Sequence, residues 1–232
     1  MVTRAIPLAR SRHARAFWCV LAPHPDDETI GTGALIAQTA KAGRLGAVVY
    51  LTDGSGSHPT ENTGARRALV QCRAREASLA LRRLAGPRAL RPVFLGWCDG
   101  NPFAVGSGEF RATARQLSSV LRRLQIDAIA IPAIDETHCD HVAAHRLARA
   151  ALAIARRRIA PFAYRVWGGA MPRTMRPALV TRPMPVARRR HALQAHRSQT
   201  SAAMGPGFRV PPQLMRQRDR DRLYPVGRRN AR

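Results

Sequence analysis

Two short segments of this 232-residue chain contain side chains that can bind a metal ion and move protons. Residues 22–28 read Ala-Pro-His-Pro-Asp-Asp-Glu, and residues 138–141 read His-Cys-Asp-His. A catalytic zinc takes three protein ligands from imidazole nitrogen and carboxylate oxygen and leaves a fourth position open for water. His24, Asp27 and His141 can supply such a set, so the two segments predict a catalytic metal site.

The residues beside these candidate ligands are suited to proton transfer. Pro25 fixes its own φ and favours a tight turn, which lets the flanking ligands aim at one point and leaves Asp26 free to act as a general base. Asp140 can hold an imidazole in one tautomer, as carboxylates behind metal-site histidines do. We expect that imidazole to be His138, whose ordinary pKa suits delivery of a proton.

Each segment follows an apolar run that is typical of a buried strand. Residues 17–22 precede the first segment, and residues 128–131 precede the second. In an open parallel sheet, ligands gather beyond the carboxyl ends of the strands. We therefore expect both segments to meet at one edge of a sheet.

Apolar runs alternate with helical patterns along most of the chain, which predicts an α/β fold with a Rossmann-like, mostly parallel sheet flanked by helices in a single domain. The predicted strands are residues 17–22, 47–52, 92–95, 128–131 and 162–167. The predicted helices are residues 27–42, 64–84, 109–124, 141–157 and 186–203. In the helix over 141–157, an apolar stripe is expected to face the sheet: Ala144, Leu147, Ala148, Ala151 and Ile154.

Composition divides the chain into three parts. Residues 1–16 form an N-terminal extension, residues 17–203 form the α/β domain, and residues 204–232 form a basic tail rich in Pro and Arg. Because the tail has almost no apolar periodicity, we expect it to be irregular.

The motifs resemble those of the PIG-L superfamily of zinc-dependent N-deacetylases, also called LmbE-like proteins. The two signatures, Ala/Pro-His-Pro-Asp-Asp-Glu and His-x-Asp-His, stand here in the family's order. The resemblance extends to further motifs: the turn at residues 51–54, the Arg73-x-x-Glu76-Ala77 helix, the loop at residues 95–100 and the His196-x-Ser198-Gln199 motif. It covers residues 17 to about 200 and leaves the tail without a counterpart.

This resemblance implies a hydrolase that removes an acyl group, most often acetyl, from an N-acylated amino sugar or glycoconjugate such as an N-acetylglucosamine derivative, by attack of metal-bound water. It implies three zinc ligands: His24, Asp27 and His141. It also implies three catalytic residues, namely Asp26 as the base, His138 as the group that stabilises the oxyanion or protonates the leaving amine, and Asp140 as the carboxylate that orients that histidine.

The substrate pocket is less directly indicated. By resemblance, Arg73 and Asp99 lie near the sugar, where an Arg can hold an anionic group and an Asp can accept hydrogen bonds from hydroxyls. Asp53, in the turn after the second strand, and His196, in the late motif, are the other candidates for substrate binding. A surface position on a helix is an equal alternative for His196.

Three features have simpler structural readings. Glu28 is interpreted as a partner of the helix dipole rather than a ligand. His145 lies one helical turn after His141, but the three-ligand set is already complete, so we favour a supporting or packing role. The Gly54-x-Gly56 pair lacks the third glycine of a dinucleotide fingerprint and is interpreted as a tight turn.

The charge balance raises a rival hypothesis. The chain carries 39 Lys and Arg against 14 Asp and Glu, a net charge of +25, which gives any basic patch some affinity for nucleic acid. Aromatic residues make up only 5% of the chain and no stacking pattern accompanies the arginines, so a non-catalytic nucleic-acid-binding protein is the less favoured alternative. The rival within the enzyme class is an amidase of the same superfamily that cleaves a larger acyl group or a thiol conjugate.

The sequence also indicates cofactor, partner and location. Zinc is the expected metal, although the same ligands accept iron(II), cobalt or nickel. The expected partner is a small N-acylated sugar or glycoconjugate. The basic tail leaves an anionic one open, and homo-oligomers are also left open. No run reaches the roughly 20 apolar residues that cross a bilayer, and the four cysteines lack Cys-x-x-Cys pairing, so we expect a cytoplasmic protein with reduced thiols.

Overall fold

The computed structural model describes residues 5–167, 178–215 and 218–227. Its strands are β1 Ile6–Pro7, β2 Trp18–Ala22, β3 Leu45–Thr52, β4 Val93–Trp97, β5 Ala128–Pro132, β6 Ala160–Tyr164, β7 Leu179–Val180 and β8 Arg222–Pro225. Its α-helices are α1 Asp27–Lys41, α2 Thr63–Ala85, α3 Gly108–Arg123, α4 Cys139–Ile154, α5 Val186–Leu193, α6 Arg197–Thr200 and α7 Pro212–Met215. Short 3-10 turns occupy Leu8–Arg10, Ser55–Ser57 and Gly86–Arg88.

The strands form one eight-stranded sheet in the order β1-β7-β8-β6-β5-β2-β3-β4. The pairs are parallel except where β8 runs antiparallel to β6 and to β7. Every residue of β2 and of β5 is buried, as in strands that helices cover on both sides. The structure confirms the predicted α/β fold with a mostly parallel sheet.

Alternate residues of each central strand face two separate cores. Val20 and Ala130 pack with α1, α2 and α5 on one side of the sheet. Leu21 and Ile129 pack with α3 and α4 on the other. This three-layer arrangement leaves the carboxyl ends of β2 and β5 open at one edge, where the following loops lead into α1 and α4.

Three expectations about the elements are wrong. Ile154, at the end of the predicted stripe, is 43% exposed, whereas the rest of the stripe is buried. The predicted helix over residues 186–203 is broken between α5 and α6, because His196 has a non-helical backbone (φ −79°, ψ 62°) and its side chain is buried. The tail is not irregular throughout, because β8 joins the sheet and buries Leu223 completely.

The boundaries at residues 17 and 203 stay a prediction, but chain on both sides of them contributes to the sheet. β1 pairs with β7, and β8 pairs with β6 and β7. Residues 1–4 of the predicted extension, and residues 216–217 and 228–232 of the predicted tail, lie outside the described residues. Within the described ranges, no helix combines the length and the apolar character needed to cross a membrane.

Charged side chains from the C-terminal part of the chain form hydrogen bonds with backbone groups at a kink in α1. Thr32 departs from helical geometry (φ −137°, ψ 16°), which frees backbone groups around it. Arg189 Nη1 donates to the carbonyls of Thr29 (3.3 Å) and Ile30 (3.0 Å), and Asp221 Oδ2 accepts from the backbone N–H of Leu35 (2.7 Å). The two side chains pair at 2.5 Å, so the chain around β8 holds the helix that follows the first motif.

Removing the Asp221 carboxylate is expected to destabilise the protein strongly. Asp221→Ala leaves the Arg189 charge buried without its counter-ion and the Leu35 N–H without an acceptor, so the free energy of unfolding should fall by about 3–5 kcal/mol. Urea unfolding measures this change. Asp219→Ala is the matched control, because Asp219 pairs with Arg220 in solvent and its loss should cost less than about 1 kcal/mol. Equal losses in the two variants would contradict this account of the kink.

Candidate metal centre

The two motif segments meet at the carboxyl ends of neighbouring strands. β2 pairs directly with β5, and Trp18 is in register with Ala128. The chain after β2 turns at residues 23–26 and enters α1, and the chain after β5 reaches α4 through residues 133–138. The structure therefore brings the segments together at one edge of the sheet, as the sequence predicts.

One carboxylate oxygen joins the three predicted ligands. Asp27 Oδ2 lies 3.0 Å from His24 Nδ1 and 3.2 Å from His141 Nε2, and it accepts a hydrogen bond from the backbone N–H of His24 at 3.0 Å. All three residues are buried, with His141 fully so. Two imidazole nitrogens and a carboxylate oxygen thus converge in a pocket of the protein interior.

The side chains fit a divalent metal ion. In the part of the chain that the structure describes, neither ring nitrogen of His141 makes a hydrogen bond of acceptable geometry, although the ring is completely buried and Nε2 lies 3.2 Å from Asp27 Oδ2. Buried polar atoms without partners are rare in proteins and call for an explanation, and coordination of a metal supplies one. The nitrogens of His24, His138 and His141 also lie within 4.8 Å of one another, and nitrogen and oxygen donors of this kind suit zinc or iron(II).

Asp140 lies closer to His24 than to the histidine we expected it to orient. Its Oδ2 is 3.0 Å from His24 Nε2 and 3.9 Å from His138 Nδ1, and it accepts from the Gly100 N–H at 2.8 Å. His138 caps α4, and its Nδ1 accepts from the backbone N–H of Asp140 at 3.2 Å. The Asp99 carboxylate also approaches His24 Nε2 at 3.3 Å, so His24 is held by acidic groups on both sides of its ring.

Arg73 forms a buried wall of the pocket. Its Nη2 donates to the Pro25 carbonyl at 2.8 Å and lies 3.4 Å from Asp26 Oδ1, and its Nη1 lies 3.7 Å from Asp99 Oδ2. Nη1 also donates to the carbonyl of Gly54, a residue with φ +71° where a Cβ would stand 2.7 Å from the guanidinium. Glycine is therefore required at this turn, and Arg73 cross-links the loops after β2 and β3.

The surroundings of Asp26 and Asp27 shift the pKa values of these two adjacent carboxyls in opposite directions. Burial raises the pKa of Asp26 to about 6, although Arg73 opposes this rise and Asp27 adds to it. Burial also acts to raise the pKa of Asp27, but the nearby His141 and the hydrogen bond and charge of His24 outweigh it and lower that pKa. Neighbouring carboxyls whose pKa values are pushed apart are typical of sites where one acts as a base and the other stays ionised.

His138 is the accessible imidazole of the cluster. Its side chain is 40% exposed, and its ring centroid lies 4.7 Å from that of His24. Burial lowers the pKa of His138, and the charges of His24 and His141 lower it further, while Asp140 opposes them. The ring faces the same pocket as His24, Asp26 and Asp27.

Two predicted substrate residues do not line the pocket. His196 is fully buried and its Nε2 lies 3.2 Å from Oε1 of Glu28, which is itself completely buried rather than placed at the surface of the helix. Asp53 shapes the turn after β3, where its Oδ1 accepts from the Ser55 N–H at 2.9 Å. His145 forms a 2.9 Å hydrogen bond with the Pro132 carbonyl, in agreement with a packing role.

The structure adds residues that the sequence did not single out. Glu136 is buried with its Oε2 3.7 Å from His141 Nδ1, on the side of the ring away from Asp27. The sequence contains a signal for Glu136, since an acidic residue between β5 and the second motif is suited to support a ligating histidine. Among the other residues that line the pocket are Ser57, Trp167 and Phe208, and no spacing rule connects these three to the motifs. Gln199, the last residue of the late His-x-Ser-Gln motif, also lines it.

Comparison with known proteins agrees with this geometry. The family model described as PIG-L, GlcNAc-PI de-N-acetylase, matches residues 19–152. The chain therefore belongs to the PIG-L family, and its class is that of the metal-dependent N-deacetylases. Among curated proteins, no match to the chain is found.

Solved structures share the fold over most of the chain. N,N'-diacetylchitobiose deacetylase from Pyrococcus horikoshii is 21% identical, with a TM-score of 0.65 over 84% of this chain and 75% of that one. A conserved protein from Thermus thermophilus is 28% identical, with a TM-score of 0.59 over 79% and 80%. The A40926 pseudoaglycone deacetylase is 17% identical, with a TM-score of 0.64 over 94% and 100%.

The two aspartates of the first motif are expected to respond differently in a metal-binding test. Asp27→Ala removes the oxygen shared by two imidazoles and should abolish stoichiometric metal, whereas Asp26→Ala should retain about one ion per chain. Mass spectrometry of protein reconstituted with zinc or iron(II) measures both, and circular dichroism checks folding. Loss of metal from folded Asp26→Ala protein would reverse this division of roles.

Proposed function

We propose that this chain removes an acyl group, acetyl foremost, from the amide nitrogen of an N-acylated amino sugar or glycoconjugate, in particular an N-acetylglucosamine derivative. The observation that carries the proposal is the buried contact of Asp27 with His24 and His141 beside two further acid–base side chains, Asp26 and His138. Membership of the PIG-L family supports the reaction type.

In this proposal His24, Asp27 and His141 hold the metal, which we take to be zinc, with iron(II) as the alternative. When bound, such an ion polarises the amide carbonyl and lowers the pKa of water at the site. Glu136, behind His141, keeps that ring in place from the opposite side. The chain contributes a buried ligand set, two members of which, His24 and Asp27, also line the pocket.

Asp26 is the proposed base. Its carboxylate lines the pocket and is fixed by Arg73 Nη2 at 3.4 Å, so one of its oxygens has a defined direction. From that position it accepts a proton from the water that attacks the acyl carbon. Arg73, whose Nη2 also donates to the Pro25 carbonyl, keeps the base from turning away.

His138, which lines the same pocket, is the proposed acid. Breaking the C–N bond requires a proton on the departing nitrogen, and a partly exposed imidazole can take that proton from solvent and deliver it. Asp140 is proposed to fix the relative positions of the two imidazoles, since it contacts His24 through its carboxylate and His138 through its backbone N–H.

Asp99 and Arg73 remain the proposed contacts for the sugar, because both line the pocket next to the acid–base residues. His196 and Asp53 are proposed to act on the substrate only through the residues they support. Binding of an anionic glycoconjugate and a cytoplasmic location also stay predictions. The nucleic-acid-binding alternative is not favoured, because it gives no role to a buried cluster of acid, base and candidate ligands.

Amine release from a panel of amides tests the reaction. N-acetylated amino sugars should yield free amine, activity should stop on chelation, and added zinc or iron(II) should restore it. Asp26→Asn should lower kcat by about 10²–10⁴, the usual contribution of a general base, with metal retained. Asp219→Asn, at an exposed carboxylate, is the control and should match the parent protein.

The panel also separates the alternatives. Turnover of bulky acyl amides or thiol conjugates without turnover of acetylated sugars would replace the deacetylase with the larger-acyl amidase. Metal-loaded protein that releases no amine from any amide would overturn the proposed function.

A further inference from the structure

Two aromatic rings in contact with each other line the candidate active-site pocket. Trp167 and Phe208 meet edge to face, with ring centroids 5.5 Å apart and planes at 72°. Both line the same pocket as His24, Asp26 and His138. Both are partly exposed, whereas the two other tryptophans of the chain, Trp18 and Trp97, are each 1% exposed.

Trp167 is positioned by the same residue that supports a candidate ligand. The Glu136 carboxylate accepts from the backbone N–H of Val166 at 2.9 Å and of Trp167 at 3.2 Å, and it lies 3.7 Å from His141 Nδ1. One buried side chain therefore ties the backbone at Trp167 to the ligand cluster, while the Trp167 ring also packs against the hydrophobic core.

Phe208 is brought to the pocket by the chain that follows α6. Its backbone N–H donates to the Ser57 carbonyl at 2.7 Å, and the Val210 N–H donates to the Gln199 carbonyl at 2.8 Å. Gly207 lies so close to His58 that a Cβ would stand 2.3 Å from its ring, so this segment is pressed against the loop after β3. Phe208 is thus held by the loop that also supplies Ser57 to the pocket.

The rest of the pocket lining is mostly polar. It includes Arg73 and Asp99, together with Ser57 and Gln199. Binding pockets commonly combine apolar walls with a few placed polar groups, and the shape selects ligands that have both kinds of surface. A pyranose ring has such surfaces, because its C–H groups form apolar faces while its hydroxyls project from the edge.

We propose that Trp167 and Phe208 form a subsite that packs against the apolar face of the sugar ring, while Arg73 and Asp99 contact its hydroxyl edge. The subsite selects cyclic amino sugars over flexible acyclic amides. This inference rests on the proposed function, since it assigns the part of the substrate next to the reacting amide. It also gives the segment around Phe208 a role in substrate recognition.

Quenching of tryptophan fluorescence by acrylamide tests the subsite directly. Because Trp18 and Trp97 are buried, quenching reports on Trp167. In metal-loaded protein, N-acetylglucosamine should protect Trp167 in a saturable manner, and acetamide, which has the acyl group without the ring, should not. Trp167→Phe should remove the quenchable signal and confirm its source.

Substitution of the second ring gives an independent measure. Phe208→Ala should raise the N-acetylglucosamine concentration for half-protection about tenfold, or about 1.4 kcal/mol, because the contact of the ring with the sugar is lost. Phe208→Tyr should restore the original concentration without adding a tryptophan. Phe103→Ala is the matched control, because Phe103 also packs edge to face against a tryptophan, Trp97, at 5.0 Å but outside this pocket. Metal content, measured in each variant, should not change.

The outcomes separate the subsite from the reaction. No saturable protection by the sugar, equal protection by acetamide, or equal effects of Phe208→Ala and Phe103→Ala would overturn the subsite, even if amine release is found. Saturable protection that Phe208→Ala weakens supports it, even if no amide is hydrolysed. Binding and turnover are read by different signals, so failure of one proposal is not mistaken for failure of the other.

Discussion

The Oδ2 oxygen of Asp27, buried between two imidazoles, is the contact on which the rest of the site depends. The two imidazoles follow adjacent parallel strands, with His24 in the loop after β2 and His141 in α4 after β5, so sharing of the oxygen depends on the pairing of β2 with β5. Removing a carboxylate and two histidines from water is costly unless they are paired or bind a metal. The surrounding structure meets that cost with Glu136 behind one ring and Asp140 beside the other.

The sequence predicts the centre of the molecule much better than its margins. Residues 17–22 and 128–131 form apolar runs that are followed by polar motifs. The apolar runs predict the strands, and the position of the motifs directly after them predicts the edge of the sheet where they meet. The sequence does not predict β8, because its four residues mix polar and apolar types without a hydrophobic periodicity. Its place in the sheet depends on pairing with β6 and β7. The break before α6 has the same origin, since burial of His196 against Glu28 overrides a continuous helical pattern.

Buried charges, rather than the net charge of the chain, explain how the site is built. The chain carries a net charge of +25, yet the arginines that shape the site are Arg73 and Arg189, each almost fully buried and each paired with an aspartate. One cross-links the loops around the base, and the other closes the kink of the helix that follows it. The composition of the chain does not distinguish these two arginines from the others, because what sets them apart is their burial away from water and not their residue type.

The contacts that Arg189 and Asp221 make with the backbone of α1 form late during synthesis of the chain. The Leu35 N–H and the Asp221 carboxylate that accepts it are 186 residues apart. At translation rates of about 5–20 residues per second, the kinked helix leaves the ribosome about 10–40 s before its counterpart does. During that interval the Leu35 N–H of the nascent chain lacks the acceptor that it has in the folded protein. The contact that holds α1 can therefore form only after Asp221 has been synthesised.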